Sequence, residues 1–332
     1  MQRRDFIKGL GGTVTLAVWP RAARAQQAER TRRVGVLMHT SSDEPDSQTN
    51  IAAFMQGLQE AGWAVGRNLR IDYRWSAAAD RASLRRNAGE LVALGPDVVL
   101  AGPGATTAAL RAVSRTIPIV FAQNIDPVGN GNVESLSHPG TNATGFTQFE
   151  YSLSAKWLEL LREIVPGVKR VAVCRDFDGS AGIGQWAVIQ SVASPLGVEL
   201  SSLDPRDARG MERVLSGMAH TANAAVIVAV SSAALNNREQ ILTLVTQHKL
   251  PAIYPYRHFV AAGGLISYGA DLVGQYRGAA SYVDRILRGA KPTDLPVQNP
   301  TKYVLAINVK TAKALGVTVP PAVLARADEV FE

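Results

Sequence analysis

Residues 97–122 read DVVLAGPGATTAALRAVSRTIPIVFA and show the pattern that decides the fold. The segment begins with a short apolar run (97–101), continues with a helix-forming stretch (105–115) and ends with a second apolar run (117–122). Short apolar runs separated by helices of about ten to fifteen residues are typical of βαβ units, in which a crossover helix joins parallel strands. This segment therefore predicts a parallel sheet covered by helices.

The same alternation extends in both directions from this segment. Towards the amino terminus, 34–38 and 69–73 are predicted strands, and 48–62 and 81–94 are predicted helices. Gly, Pro, Asn and Asp crowd residues 123–145, which predicts a long connection, and the alternation restarts beyond it. The predicted strands of this second half are 170–174, 198–202, 224–229 and 251–253.

Three elements remain after two such halves: a strand at 263–268, a helix at 276–289 and a late strand at 302–308. They are explained if the chain crosses between two lobes more than once, because several crossings make a hinge that can close around a ligand. The predicted fold is α/β, with two doubly wound parallel-sheet lobes joined by a multi-strand hinge. The predicted boundaries are 26–147 plus about 269–300 for the first lobe, and 148–268 plus about 301–332 for the second.

The first 25 residues have the parts of a bacterial export signal. Arg3 and Arg4 precede an uncharged stretch (9–20), and Ala23-Arg24-Ala25 has the small-x-small ending of a cleavage site. The arginine pair indicates the twin-arginine class. We therefore expect cleavage after Ala25 and a periplasmic protein, and the competing reading is a basic tail with an accidental arginine pair.

Charge and cysteine content exclude several classes of protein. The formal net charge is +7, but the first 25 residues hold five of the 35 basic and one of the 28 acidic residues, which leaves +3 for the remainder. No run of like charge indicates a nucleic-acid or polybasic membrane surface. Cys174 is the only cysteine, so internal disulfides and cysteine-based metal sites are excluded.

Candidate ligand-binding residues come from the loops that follow predicted strands, because ligands of open parallel sheets bind outside the carboxyl ends of the strands. The candidates are Thr40, Ser41, Gly104, Ala105, Thr106, Asn124, Asp126, Ser231, Tyr254, Tyr256 and Tyr268.

Four alternatives accompany these candidates. In residues 102–106, glycines before a helix allow backbone N–H groups and the Thr106 hydroxyl to hold a carboxylate, although a tight turn without a ligand fits equally well. A dinucleotide loop fits poorly, because Thr107 stands where that motif has its third glycine. Asp126 precedes Pro127 and could instead begin an Asx turn, and any single one of the tyrosines could instead pack within a lobe.

Signals for catalysis are weak. Residues 179–182 fall one residue short of the serine-hydrolase elbow G-x-S-x-G. The five histidines lack metal-ligand spacing, and no Walker-type phosphate loop is present. We therefore expect no catalytic residue, no metal and no cofactor.

Longer motifs are spread over almost the whole chain after the export signal. They include AFMQGL (53–58), IDYRW (71–75), TIPIVF (116–121), HPGTNATG (138–145), YVDRILRGA (282–290) and RADE (326–329). In this combination the chain resembles the bacterial ABC-transporter substrate-binding family, whose members include tryptophan- and other aromatic-amino-acid-binding proteins. The resemblance implies the periplasmic-binding-protein type I fold with three hinge crossings. It also implies a cleft lined by the loops after the first, third and fourth strands, which favours Thr40, Gly104, Ala105, Thr106 and Asn124.

These observations predict a monomeric, non-catalytic receptor that binds an amino acid or other carboxylated solute and delivers it to an ABC-transporter permease. Two alternatives stay open: an exported enzyme with a cofactor, and a module that senses a ligand for a membrane receptor.

Overall fold

The computed structural model describes residues 30–76, 80–103, 105–221 and 223–332. The predicted export signal and the candidate Gly104 lie outside these residues. Within them, the chain forms two sheets, one of five strands and one of seven.

The first sheet is parallel throughout, with the order β2-β1-β3-β4-β5. Its register places Val34 of β1 between Ile71 of β2 and Val98 of β3. The strands are β1 (Arg32–Met38), β2 (Leu69–Trp75), β3 (Val98–Ala101), β4 (Ile119–Asn124) and β5 (Ala143–Thr147).

The second sheet has the order β12-β11-β10-β9-β8-β6-β7. Its pairs are parallel except β10 with β11, which run antiparallel. One antiparallel pair thus lies in an otherwise parallel sheet. The chain leaves this sheet after β10 and re-enters it from the opposite direction at β11. The strands are β6 (Arg170–Cys174), β7 (Glu199–Leu203), β8 (Ala224–Val228), β9 (Ala252–Tyr254), β10 (Ile266–Ala270), β11 (Tyr303–Asn308) and β12 (Glu329–Phe331).

Helices cover both sheets. Several begin where an Asp, Asn or Ser side chain accepts a hydrogen bond from a backbone N–H of the first turn, as Asp80 does from Ser83 N. The helices are α1 (Pro45–Glu60), α2 (Arg81–Ala93), α3 (Thr106–Val113), α4 (Leu153–Ile164), α5 (Ser180–Ala193), α6 (Ala208–Ala219), α7 (Ser232–Asn236), α8 (Arg238–Gln247), α9 (Arg257–Ala261), α10 (Leu272–Leu287), α11 (Val309–Ala314) and α12 (Pro321–Leu324).

Helix α10 follows a strand of the second sheet but packs on the first. Its Tyr276, Ala280 and Val283 share a buried core with Phe54 of α1. The chain then runs along β5, where Gln298 N donates to Gly145 O at 2.9 Å, and returns to the second sheet as β11. Together with the passage from β5 to α4, this gives three crossings between the lobes.

Strand β4 shows how the first lobe is filled on both faces. Ile119 and Phe121 pack into the core on one face of the sheet, whereas Val120 and Ala122 pack into the core on the other. This alternation is the normal period of two for a strand, and both faces are apolar because helices cover both. The second lobe has one continuous core around the fully buried Trp157.

Candidate functional site

A cavity lies between the lobes, at the carboxyl ends of both sheets. Its volume is about 50 Å³, and both lobes line it. We call it the interlobe cavity. Its lining includes Met38, Thr40, Glu44, Asp46, Ser47, Asn50, Pro103, Gln123 and Ile125 from the first lobe, Gln148, Ser231, Ser232, Leu235, Tyr256 and His258 from the second, and Leu272 and Tyr276 from α10.

Two larger pockets flank the interlobe cavity. The mouth pocket, about 700 Å³, lies between the loop after β1 and the start of α8, and it shares Thr40 and Leu235 with the cavity. The hinge-side pocket, about 230 Å³, borders the crossing from β10 to α10 and shares Asp46, Tyr256 and His258 with the cavity.

The loop after β1 and the first turn of α1 supply the polar groups of the first lobe. The buried Ser47 hydroxyl donates to the Thr40 hydroxyl at 2.8 Å. Asp46 and Asn50 are four residues apart on α1, so both face the same side of that helix. The β1–α1 connection therefore presents hydroxyl, amide and carboxylate groups to one space.

The second lobe contributes aromatic and hydroxyl groups. Tyr256 is buried, its hydroxyl donates to Gln148 Oε1 at 3.3 Å, and its ring stacks on His258 with centroids 5.2 Å apart. Burial raises the pKa of the Tyr256 phenol above its usual value, so the phenol stays neutral and keeps its proton for hydrogen bonding. Ser231 caps α7 by accepting from Ala234 N at 2.9 Å.

Charged groups at the cavity join the two lobes. His258 Nδ1 of the second lobe lies 3.3 Å from Asp46 Oδ2 of the first, and this hydrogen bond lowers the pKa of Asp46. At the mouth pocket, Arg238 of the second lobe forms an ion pair with Glu44 of the first. Among the described residues, no Lys or Arg side chain lines the interlobe cavity itself. A ligand carboxylate there would therefore be held by hydroxyl, amide or ring N–H donors.

Two buried nitrogen atoms of cavity-lining residues lack a hydrogen-bond partner: Gln123 Nε2 and His258 Nε2. An unpaired buried donor is costly, so such atoms are candidates for contact with a ligand. Gln123 belongs to the first lobe and His258 to the second.

Some of the predicted site residues lie at this cavity. Thr40, Ser231 and Tyr256 line it, and Ser41 lines the adjoining mouth pocket. In each case the residue lies in the loop that follows a strand, as the strand-end rule requires.

Of the predicted anion loop, Ala105 and Thr106 line none of these three pockets. The Thr106 hydroxyl is buried and donates to Gly102 O at 2.6 Å, so its proton is engaged within the helix start. Ala105 precedes the first turn of α3, and Asn124 is buried at the end of β4. Pro103, one residue after Gly102, is the part of this loop that reaches the interlobe cavity.

Asp126 forms a turn and also bridges the lobes. Its Oδ1 accepts from Gly129 N at 2.8 Å, which is the Asx-type turn that was the alternative to a ligand. Its Oδ2 accepts from Ser180 Oγ at 2.6 Å and from Tyr151 OH at 3.0 Å, both in the second lobe. Burial and the nearby Asp126 raise the pKa of Tyr151 to about 12.

Tyr254 and Tyr268 also lie away from the cavity. Tyr254 is fully buried in the second core, stacked on Phe259 with centroids 4.9 Å apart. Tyr268 stacks on Tyr303 at 5.6 Å, and its carbonyl accepts from Trp157 Nε1 at 2.7 Å. These two rings pack within the second lobe.

Several cavity residues have no counterpart among the candidates. Asp46, Ser47 and Asn50 could have been found, because they follow the loop after β1 at helical spacing. Gln148 and Tyr276 could not, because only the packing of distant segments brings them to the cavity.

The sequence model of the ABC transporter substrate binding protein family matches residues 33–331. This chain belongs to that family. The family and the relatives described next are solute-binding proteins and not enzymes, in agreement with the expected non-catalytic receptor.

One relative of this family member is the tyrosine-binding protein of Clostridioides difficile (strain R20291), 23% identical over 291 residues, which are 87% of this chain and 82% of the relative. A protein from Vibrio cholerae is 28% identical with a TM-score of 0.81, covering 91% of this chain and all of that one. The ABC domain in complex with L-Trp from Streptococcus pneumonia is 24% identical, with the same TM-score and the same coverage. These structural matches confirm the predicted fold class.

Two further findings concern the described residues only. They contain no cluster of three or more His, Cys, Asp or Glu side chains that could hold a metal ion. None of their helices combines the length and the apolar character needed to cross a membrane.

Proposed function

We propose that this family member is the extracytoplasmic solute-binding component of an ABC importer, which closes its two lobes around an amino acid or another small carboxylated solute. The observation that carries the proposal is the interlobe cavity, which lies at the carboxyl ends of both sheets and is lined from both lobes. A ligand held by both lobes binds the closed arrangement more tightly than the open one and so stabilises closure.

The cavity lining favours an aromatic amino acid. Tyr256, Tyr276 and His258 supply rings, Ile125 and Leu272 supply apolar contacts, and the hydroxyl and amide groups described above supply polar ones. Few polar groups within an apolar and aromatic lining are typical of small-molecule sites. One relative is named for tyrosine and a similar structure contains L-Trp, which supports the same ligand class.

Entry of such a ligand requires the cleft to widen. The cavity volume of about 50 Å³ is far below the several hundred Å³ typical of small-molecule sites. Three crossings between the lobes allow a hinge movement that opens the mouth pocket while each sheet stays intact. In this proposal the lobes comprise 26–147 plus about 269–300, and 148–268 plus about 301–332.

Calorimetry tests the proposed ligand class. Protein beginning at Gln26, unfolded and refolded to release any ligand carried through purification, would be titrated with L-tryptophan, L-tyrosine and L-phenylalanine. Pools of aliphatic amino acids and of organic acids would follow. We expect at least one aromatic amino acid to bind with a Kd on the order of 1 μM or tighter, about −8 kcal/mol. Absence of binding to all pools would contradict the proposal.

Export and delivery need separate tests. We propose that residues 1–25 direct export to the periplasm by the twin-arginine route and are removed after Ala25. Sequencing the amino terminus of the periplasmic protein should give Gln26, and replacing Arg3 and Arg4 by Lys should leave the protein in the cytoplasm. A strain that lacks the gene should lose high-affinity uptake of the labelled ligand, whereas retained uptake would separate ligand binding from transport.

A further inference from the structure

Gln123 combines three unusual features at one position. It lies in β4, and its backbone φ is +60°, a value that residues other than glycine rarely adopt. Asn223 and Lys249 share this feature among the described residues, but both are exposed in turns, whereas Gln123 is only 5% exposed. A strained backbone at a buried strand position requires a reason in the surrounding structure.

The strand irregularity at this point turns the Gln123 side chain out of the core. The register between β4 and β5 shifts between Phe121 and Asn124. With regular alternation, Gln123 would follow Phe121 into the apolar core on that face of the sheet. Instead it lines the interlobe cavity, and irregularities of this kind commonly re-aim a side chain beside a functional site.

The amide that is presented in this way has no partner on its nitrogen. Gln123 Nε2 is buried and makes no hydrogen bond within the protein. The cavity lining holds the carboxylates of Asp46 and Glu44 but, in the described chain, no Lys or Arg. Without Lys or Arg, a ligand carboxylate there requires hydroxyl, amide or ring N–H donors, and the Gln123 amide NH₂ is one that the protein itself leaves unsatisfied.

We propose that Gln123 is a ligand-binding residue whose side-chain amide donates to the carboxylate of the bound solute, and that its strained backbone exists to place that amide in the cavity. The inference rests on the proposed function, because it assigns one group of the same site. It also predicts that Gln123 lowers the stability of the ligand-free protein, since strain and an unpaired buried donor are both destabilising.

The test compares Gln123→Asn and Gln123→Gly with the unmodified protein. Asparagine and glycine both tolerate positive φ, so both variants keep the backbone, whereas the first shortens the amide and the second removes it. We expect the Kd for L-tryptophan or L-tyrosine to rise by about 10- to 100-fold in both variants, as for loss of a hydrogen bond to a charged group. The thermal midpoint without ligand should be unchanged or rise by up to about 3 °C.

Two comparisons assign the effect to the carboxylate and to the cavity. Tryptamine and tyramine lack the carboxylate, so the unmodified protein should bind them more weakly than L-tryptophan and L-tyrosine. In Gln123→Gly this difference in Kd between amine and amino acid should largely disappear. Gln275→Leu is the matched control, because Gln275 is also a buried amide without partners but does not line the cavity. This variant should keep the affinity of the unmodified protein.

The outcomes separate the two proposals. If the unmodified protein binds none of the three aromatic amino acids, the proposed aromatic ligand is wrong and the role of Gln123 is overturned with it. If the unmodified protein binds and both Gln123 variants bind as tightly, only the inference is overturned. A clear fall of the thermal midpoint of the ligand-free protein in both variants would identify Gln123 as a structural residue. That result would also overturn the inference.

Discussion

Tyr254 and Tyr256 lie on either side of Pro255, yet their surroundings differ. Tyr254 ends β9 and stacks on Phe259 inside the second core, whereas the Tyr256 hydroxyl reaches Gln148 at the edge of the interlobe cavity. Sequence alone could not separate them, because both follow an apolar run and both are aromatic. The difference arises where the strand ends and the backbone changes direction.

The same conservative substitution at both tyrosines should have different effects. Tyr256→Phe removes the donor to Gln148 and leaves a buried acceptor unpaired, so we expect a loss of about 1 kcal/mol in the free energy of unfolding and a roughly 3- to 10-fold weaker affinity. Tyr254→Phe should keep the affinity of the unmodified protein. Urea denaturation and calorimetry measure the two effects, and equal affinities for both variants would show that Tyr256 plays no part in binding.

The Asp46–His258 contact makes stability depend on pH in the acid range. Its hydrogen bond lowers the pKa of Asp46, so the stabilisation is fully present above the unfolded pKa of about 3.9 and is lost as the pH falls through the lower folded value. The difference in free energy of unfolding between the unmodified protein and Asp46→Asn should therefore shrink below about pH 4. Urea denaturation between about pH 5 and pH 3 measures it.

A double variant serves as the control for this pH dependence. In a His258→Leu background, Asp46→Asn should change the acid dependence much less, because the hydrogen bond that contributes most to the lowered pKa of Asp46 is gone. If the difference in free energy of unfolding between the unmodified protein and Asp46→Asn stays unchanged down to pH 3, the contact does not affect stability.

The site was predictable only where it depends on strand ends. Thr40 and Ser231 follow strands directly, and the rule for parallel sheets places such residues at the cavity. Gln123 directly follows the predicted strand 117–122, so the strand-end rule reaches it, but only the structure shows that β4 continues through it with an irregularity that turns its side chain outward. The Asx turn at Asp126 was predicted as the alternative to a ligand contact. The contacts of Asp126 with Ser180 and Tyr151 were not, because they depend on the approach of the second lobe.

At the scale of elements, α1 and α10 pack closely through small residues. A Cβ added at Gly57 of α1 would lie 2.7 Å from the Cβ of Ala280 of α10 and 3.2 Å from the Arg277 carbonyl oxygen. Neither atom belongs to a flexible side chain that could move aside. The two helices must therefore separate if position 57 gains a side chain.

Two identical substitutions test this contact. Gly57→Ala should lower the free energy of unfolding by about 1–3 kcal/mol through overpacking. Gly89→Ala in α2 is the control, because a Cβ there meets nothing within 4 Å, and it should stabilise by about 0.5–1 kcal/mol through helix propensity. Guanidinium denaturation measures both, and a stabilised Gly57→Ala variant would show that the helices accommodate the methyl group without cost.

The strands that could not be predicted from the sequence are short or contain glycine. Strand β5 (Ala143–Thr147) begins inside the predicted connection of residues 123–145, and it has Gly145 at its centre with φ +149°. A Cβ there would lie 2.0 Å from the Phe121 carbonyl oxygen, so close approach of β4 requires a glycine. Strand β12 has three residues and is defined by pairing with β11, which no local pattern indicates.

At the scale of the whole molecule, polar contacts between described residues join the lobes across the cleft. They include Arg238 with Glu44 at the mouth pocket, His258 with Asp46 at the cavity, and Ser180 and Tyr151 with Asp126. Each joins the first lobe to the second. Their geometry depends on the relative position of the lobes, so the sequence predicted a cleft but not the contacts that cross it.

Reversing the charge at the mouth should favour an open arrangement. Arg238→Glu places a carboxylate opposite Glu44, so we expect ligand dissociation to accelerate by roughly 3- to 10-fold and the radius of gyration without ligand to increase. Arg326→Glu is the matched control, because Arg326 pairs with Glu163 within the second lobe. Stopped-flow fluorescence and small-angle scattering measure the two properties, and identical behaviour of the two variants would exclude a role of the mouth contact in closure.

The position of α10 has a consequence for the folding of the protein during its synthesis on the ribosome. More than a hundred residues separate the end of β5 from the start of α10, and α10 covers one apolar face of the first sheet. That face is covered only by α1 until the ribosome has made nearly the whole chain, while the residues of the second lobe are emerging. The first lobe, although translated first, is therefore completed late, and its incompletely covered strands are the part of the nascent chain most in need of a chaperone.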